Sequence, residues 1–299
     1  MKISIIVPVY NGEKTIRELF TRISAELEGN FQFEVIFVYD CGKDKSWEVI
    51  TKLMESFPEN IRSFHLARNY GQHNAILYGI KKASGNFIVT LDEDLQHDPA
   101  YIKPLIKKQQ EGDYDVVYAV FNNLAHPRLR NITSKMLRWL LKLTVPRIFP
   151  DYSPYRLIKR ETAEDITRLK SSYPCIDGYL FGVTKKFGTI KAEHFRRTNG
   201  NSSYSLYKLI RHAALIEITY SPLKKWILLT ALGLNLLSII LIIAGEKIGD
   251  SSGCFLVVLI TGFAGLSLLI IGLLAEWAHY KGLRTNHGPV TEHEQNIDL

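Results

Sequence analysis

Over roughly the first 120 residues, short apolar runs alternate with longer stretches in which apolar residues recur at helical spacing. ISIIVP (3–8) is a β-branched run of strand length, closed by a turn at Asn11-Gly12. In the segment that follows, Ile16, Leu19, Phe20, Ile23 and Leu27 fall on one helical face, and Gly29 supplies a stop. The cycle repeats as EVIFVY (34–39) and a helix over about 46–56, then IRSFHL (61–66) and a helix over about 71–83. NFIVTL (86–91) comes next, with Asp98-Pro99 as cap and first-turn proline of a further helix, and DVVYAV (115–120) closes the series. This alternation predicts an α/β domain with an open, largely parallel sheet covered on both faces. Ligands in such a fold bind at the carboxyl ends of the strands, here Pro8–Glu13, Tyr39–Asp44, Ala67–Gly71 and Asp92–Asp98.

The pattern changes near the end of the chain. Residues 226–245 and 254–275 contain no charged side chain, and each reaches the roughly 20-residue length needed to cross a bilayer. They predict two transmembrane helices joined by EKIGDSSG, with Trp226, Trp277 and Tyr280 as interfacial aromatics. Lys224 and Lys225 before the first span, and Lys281 and Arg284 after the second, put both long ends in the cytoplasm by the positive-inside rule. KISIIVPVYNGEK is too short in apolar length for a signal peptide. The expectation is an integral membrane protein of the bacterial inner membrane. It divides into a core (1–125), an acceptor-side region (126–222), the two spans (223–280) and a polar tail (281–299).

Charge sharpens this division. The net charge is +7, but residues 126–225 hold 20 Lys and Arg against 7 Asp and Glu, so the remainder is acidic. A basic block next to an apolar tail points to phosphates or anionic head groups rather than to nucleic acid. Within it, Asn131, Lys135, Arg138 and Lys142 share one side of a predicted helix whose other side is apolar, as an interfacial amphipathic helix requires. A second such helix is predicted from Tyr204 to about Ile216. Cys41, Cys175 and Cys254 are odd in number and in no ligand spacing, which excludes a disulfide framework or zinc knuckle. No G-x-G-x-x-G follows the first strand and no P-loop motif occurs, so a nucleotide must be held in another way.

LDEDLQHDP (91–99) ends the fourth strand on four carboxylates. In an extended chain Asp92 and Asp94 share a face, and Gln96 continues the series. Together they could hold Mg2+ or Mn2+ and leave positions for water and phosphate oxygens. A solvated turn is the other reading of the same residues.

Several motifs in order resemble family 2 glycosyltransferases of the GT-A fold: IIVPVYNGEKTI, VYDCGKDKS, LARNYGQHNAILYGIKKASGNFIVTLDEDLQHDP and HFRRTNGNSSY. The nearer likeness is to polyprenyl-phosphate glycosyltransferases such as dolichyl-phosphate mannose synthase and the bacterial undecaprenyl-phosphate sugar transferases with two C-terminal spans. The resemblance implies a Rossmann-like nucleotide-diphospho-sugar transferase domain and a UDP-, GDP- or dTDP-linked donor. It also implies an undecaprenyl or dolichyl phosphate acceptor, inversion at the anomeric carbon and a membrane-lipid setting, while a homo-oligomer is left open. Pro8, Tyr10, Glu13, Asp40, Asn69, Asp92 and Glu93 are then implied around the nucleotide-sugar, Arg197 at its pyrophosphate, and Asp92, Asp94 and Gln96 around the metal. Asp92, Asp94 and Asp151 are the implied catalytic carboxylates. Arg130 and Ser134, with Arg156 and Ser202, are implied at the acceptor phosphate. The sequence departs from the family pattern at Tyr39-Asp40-Cys41, where paired aspartates are usual, and at Ser203, where Lys is usual. Transfer to another lipid or glycan, and a silent nucleotide-sugar-binding scaffold, are the competing readings.

Overall fold

The computed structural model describes residues 1–121, 151–169, 174–193, 223–248 and 251–285. Seven strands form one sheet: β1 (Lys2–Val9), β2 (Gln32–Tyr39), β3 (Ile61–His65), β4 (Phe87–Thr90), β5 (Val116–Phe121), β6 (Arg156–Lys159) and β7 (Phe187–Ala192). The order across the sheet is β3-β2-β1-β4-β6-β5-β7. β1 runs parallel to β2 from Lys2↔Gln32 to Val9↔Tyr39, and parallel to β4 from Ile3↔Phe87 to Ile6↔Thr90. β6 is antiparallel to both neighbours and sets Thr90 opposite Arg156.

β1 is apolar at almost every position because both of its faces are covered. Ile3, Ile5, Val7 and Val9 pack into one layer with α1 (Ile16–Leu27), α2 (Ser46–Ser56) and α4 (Ile102–Gly112). Ile6 packs into the opposite layer with α3 (Gln72–Lys82), α5 (Arg160–Arg168) and α6 (Ile176–Val183). The five α1 residues expected on one face are the five that are buried there. Asp98 accepts the Ala100 amide at 3.0 Å and Pro99 opens a short 3-10 turn before α4, the start signal read in the sequence.

Two consequences bear on function. The carboxyl ends of β3, β2, β1 and β4 lie side by side along one edge. Because β6 runs the other way, the segment 151–155 that leads into it arrives at that same edge. Sequence periodicity did not reveal β6, β7, α5 or α6. The sheet therefore takes strands from both sides of residue 125.

The apolar tail forms α7 (Leu223–Ile248) and α8 (Ser251–Thr285), packed against each other. Ser238 Oγ lies 2.7 Å from Thr261 Oγ1 across this contact. A Cβ at Gly265 would stand 2.5 Å from Asn235 Nδ2 and 3.2 Å from Ala231 O, so the two helices approach closely at this glycine. Outward side chains are apolar and open, Phe263 to 75%. Val257–Leu274 is apolar over 18 residues with mean hydropathy 2.6, long enough to cross a membrane; the described side chains of α7 give a shorter apolar stretch, Leu229–Ile243. Both helices outrun the uncharged segments, taking in residues expected to form the linker. Lost apolarity ends a span without ending a helix.

Candidate active site

The loops after β1 and β2 are stitched into one unit. Asn11 Oδ1 accepts the Lys43 amide at 2.7 Å, and Ser46 Oγ accepts the Gly12 amide at 2.8 Å. Asp44 takes the Glu13 amide at 2.9 Å, while Glu13 takes the Lys45 amide at 3.2 Å. Asn11 and Cys41 both adopt left-handed φ, at 62° and 53°. Such conformations carry a cost and collect at ligand-binding loops. Pro8 is buried within β1 and Tyr10 is 41% exposed at its end. The cysteine that breaks the family pattern thus occupies a tight turn, with Tyr39 Oη donating to Gly42 O at 2.8 Å beside it.

Asp40, implied at the nucleotide-sugar, clasps a neighbouring loop. It is buried at the end of β2, where Oδ1 accepts the Tyr70 amide at 2.7 Å and Oδ2 the Gly71 amide at 2.8 Å. Burial raises its pKa, and the two amides pull it back. Its carboxylate thereby fixes the loop from β3 into α3, with Asn69 exposed on that loop. The next residue, Gln72, reaches the fourth strand: its Nε2 donates to Asp92 Oδ1 at 2.5 Å.

The D-x-D segment is not extended throughout. β4 ends at Thr90, and residues 93–95 turn, with the Asp94 carboxylate accepting the Gln96 amide at 3.1 Å and Leu95 at φ 60°. The shared-face argument fails beyond Asp92, because an aspartate that caps its own turn bends the chain there. Glu93 packs over Gly12, where a Cβ would stand 2.8 Å from Glu93 Cγ, and its carboxyl takes the Tyr10 amide. Burial, reinforced by the charges of Asp92 and Asp94, pushes Glu93 up to about 8, so it is largely protonated at neutral pH. His97 is buried between Phe121 and Tyr155, stacked at 5.2 and 5.4 Å, and takes the Asp92 amide at a long 3.4 Å. Burial lowers its pKa to about 4, so the imidazole is neutral. Among the described residues no group of three or more His, Cys, Asp or Glu could hold a metal ion.

The 151–155 segment is fastened to this turn. Thr90 Oγ1 donates to Pro154 O at 2.7 Å, and Tyr155 Oη donates to Asp98 O at 3.0 Å. Asp151 is exposed at the start of the segment. Arg156, implied at the acceptor phosphate, stands at the start of β6. It is 1% exposed, its Nε donates to Thr90 Oγ1 at 3.2 Å and to Pro154 O at 3.3 Å, and its guanidinium is paired with Asp177. Tyr118 Oη donates to the same carboxylate at 3.0 Å. A side chain so enclosed supports the strand end. Arg130, Ser134, Arg197 and Ser202, with both amphipathic segments and His194, lie outside the described residues.

Sequence reasoning gave no role to Gln72, His97 and Asp177. Gln72 and His97 stand inside the quoted motifs, so their position was a signal. Asp177 had none, since its partner lies 21 residues away in the chain.

Residues 4–166 match the glycosyl transferase family 2 model. The chain is 32% identical over 290 residues to the undecaprenyl-phosphate 4-deoxy-4-formamido-L-arabinose transferase of Salmonella paratyphi A, covering 92% of this chain and 88% of that protein. The Salmonella choleraesuis protein of the same name matches equally. Among solved structures, glucosyl-3-phosphoglycerate synthase from Mycobacterium tuberculosis, in complex with Mn2+, UDP-glucose and phosphoglyceric acid, shares the fold. Its TM-score is 0.54 at 16% identity, over 73% of this chain and 77% of that one. S. aureus TarS 1–349 in complex with UDP-GlcNAc gives 0.50 at 20% identity, over 73% and 66%. With a strand-end site of the kind the fold requires and a family match across more than half its length, this chain belongs to glycosyl transferase family 2 and is a glycosyltransferase.

Proposed function

We propose that the protein transfers a single sugar from a nucleotide-sugar to a polyprenyl phosphate at the cytoplasmic membrane face, with inversion at the anomeric carbon. The observation that carries this reading is the joint presence of a strand-end carboxylate site and an apolar helix pair with open outer faces. The first suits a soluble anionic donor and the second a lipid acceptor. The name of the 32% identical relative, which acts on undecaprenyl phosphate, supports the same acceptor here, most simply with both α7 and α8 in the bilayer.

The donor set around Asp92 and Asp94 is all oxygen, which fits Mg2+ or Mn2+. Two carboxylates are few for a resident ion, and a donor diphosphate and water would have to complete its shell. A divalent cation there would offset the charge that builds on the departing nucleoside diphosphate. The Mn2+ and UDP-glucose of the mycobacterial synthase belong to that protein; the metal reading rests on the carboxylates of this chain.

In the reaction an acceptor phosphate oxygen forms a bond to the anomeric carbon as the bond to the donor diphosphate breaks. That oxygen is already anionic at neutral pH, so it needs orientation more than a base. Arg130 and Ser134 are suited to orient it, with Asp151 the carboxylate available if a proton must be taken. Glu13, Asn69 and Tyr10 line the donor side, and Arg197 is suited to the pyrophosphate. Membranes containing the protein, given radiolabelled UDP-, GDP- and dTDP-sugars with undecaprenyl phosphate, should move label from one donor into the lipid fraction. No labelled lipid with any donor would favour a binding scaffold instead.

A further inference from the structure

A cation site made from two carboxylates depends on how they are aimed, and Asp92 has a partner from outside its own turn. Gln72, the first residue of α3, donates from Nε2 to Asp92 Oδ1 at 2.5 Å. What precedes Gln72 fixes it. The buried Asp40 carboxylate holds the amides of Tyr70 and Gly71, and the Leu66 amide donates to Tyr39 O at 3.0 Å. Gly71 has φ 87° and ψ 156°, a region essentially closed to residues with a side chain. Helical bonding starts at once, with Asn74 and Ala75 amides on Gly71 O at 3.0 and 3.1 Å. A carboxylate at the end of β2 thus mounts a loop, the loop starts a helix, and the helix's first side chain reaches across β1 to the end of β4.

We propose that Gln72 is a positioning residue that holds the Asp92 carboxylate in its metal-binding orientation, with Asp40 and Gly71 as its mount. The proposal rests on the metal reading above. An amide suits this role because it donates a hydrogen bond without adding a positive charge that would compete with the cation. A glutamate at the position would face Asp92 with a like charge. Gln72 is exposed at the rim of the site, so its substitution leaves the core intact.

The test uses the full chain in detergent, with Mn2+ binding followed by electron paramagnetic resonance in the presence of UDP, GDP and dTDP in turn. Wild type should bind Mn2+ saturably with one of them. Gln72→Met, close in shape but without a donor, should bind it roughly 10-fold more weakly, and Gln72→Glu and Gly71→Ala should also weaken it. Nucleotide affinity in excess chelator and KM for polyprenyl phosphate should not move, and raised Mn2+ should restore kcat in Gln72→Met. If wild type binds Mn2+ and Gln72→Met binds it within roughly two-fold, well short of an outer-shell effect, the positioning role is overturned and the metal reading stands. Equal loss of nucleotide affinity with and without Mn2+ would make Gln72 a donor contact and overturn the proposal. If wild type binds no Mn2+ with any nucleotide, the metal reading fails and takes this proposal with it.

Discussion

Asp177→Asn should destabilise the domain far more than its position, remote from the D-x-D turn in sequence, suggests. The change keeps the shape but removes the charge that faces Arg156, which is 1% exposed. Removing one partner of a buried ion pair typically costs about 3–5 kcal/mol, because the other charge is left unpaired in a low dielectric. For a domain of this size each kcal/mol moves the melting temperature by roughly 2–4 °C, so a fall of roughly 10 °C is expected. Tyr118 Oη, which donates to the same carboxylate at 3.0 Å, can still bond the asparagine oxygen, so the loss is mainly one of charge. Pairing Arg156→Met with Asp177→Leu should recover much of the fall, since an apolar pair removes the desolvation cost along with the attraction. The assay is thermal unfolding of the purified protein in detergent, with kcat and KM for the lipid measured below the transition. A melting temperature for Asp177→Asn indistinguishable from wild type would refute the buried-pair argument. An Arg156→Met protein with an unchanged melting temperature and a raised lipid KM would place Arg156 at the acceptor site instead.

Other substitutions separate chemistry from scaffolding. Asp94→Ala should abolish transfer while lowering the melting temperature by only a few degrees, the cost of its one turn bond to Gln96; chelation of wild type should also abolish transfer, reversed by added Mg2+ or Mn2+, and full turnover in chelator would remove the metal role. Gly71→Ala forces a side chain into a glycine-only conformation, a cost of about 1–3 kcal/mol, and should show in unfolding as well as in activity. Burial acts to raise the pKa of Glu34, but hydrogen bonds from Ser4 and Ser84 and the Lys2 charge outweigh it, so the pKa is lowered. The stability this brings is complete above the ordinary glutamate range and is lost as pH falls through the depressed folded value. Glu34→Gln should therefore flatten the acid limb of a melting-temperature profile, and an unaltered profile would place the acid sensitivity elsewhere.

What the sequence made legible follows from the range of the forces involved. The α1 face was readable because five apolar residues recur at helical spacing within one segment, and the Asp98 cap because its partner amide is two residues away. β6 was not, since RLIK has no alternation and one of its buried side chains is an arginine whose neutralising partner sits on α6. Asp40 shows the same limit in the site itself. Its motif placed it at a strand end, but its two bonds run to amides 30 and 31 residues away, so the loop clasp was not legible in the sequence. The D-x-D segment was read as extended, because period-two reasoning does not see the Asp94 bond to Gln96 that turns the chain. In the tail, absence of charge over a bilayer's length was the signal, and Val257–Leu274 is the one described stretch that meets it.

The central claim is that one sugar is joined directly to a polyprenyl phosphate. Mass analysis of the lipid product, made by purified protein from the active nucleotide-sugar and undecaprenyl phosphate, tests it most directly. The account predicts a species heavier than the acceptor by one sugar residue, still a monophosphate, formed by wild type and absent with Asp94→Ala. A diphosphate-linked lipid, or free sugar with the acceptor unchanged, would contradict it.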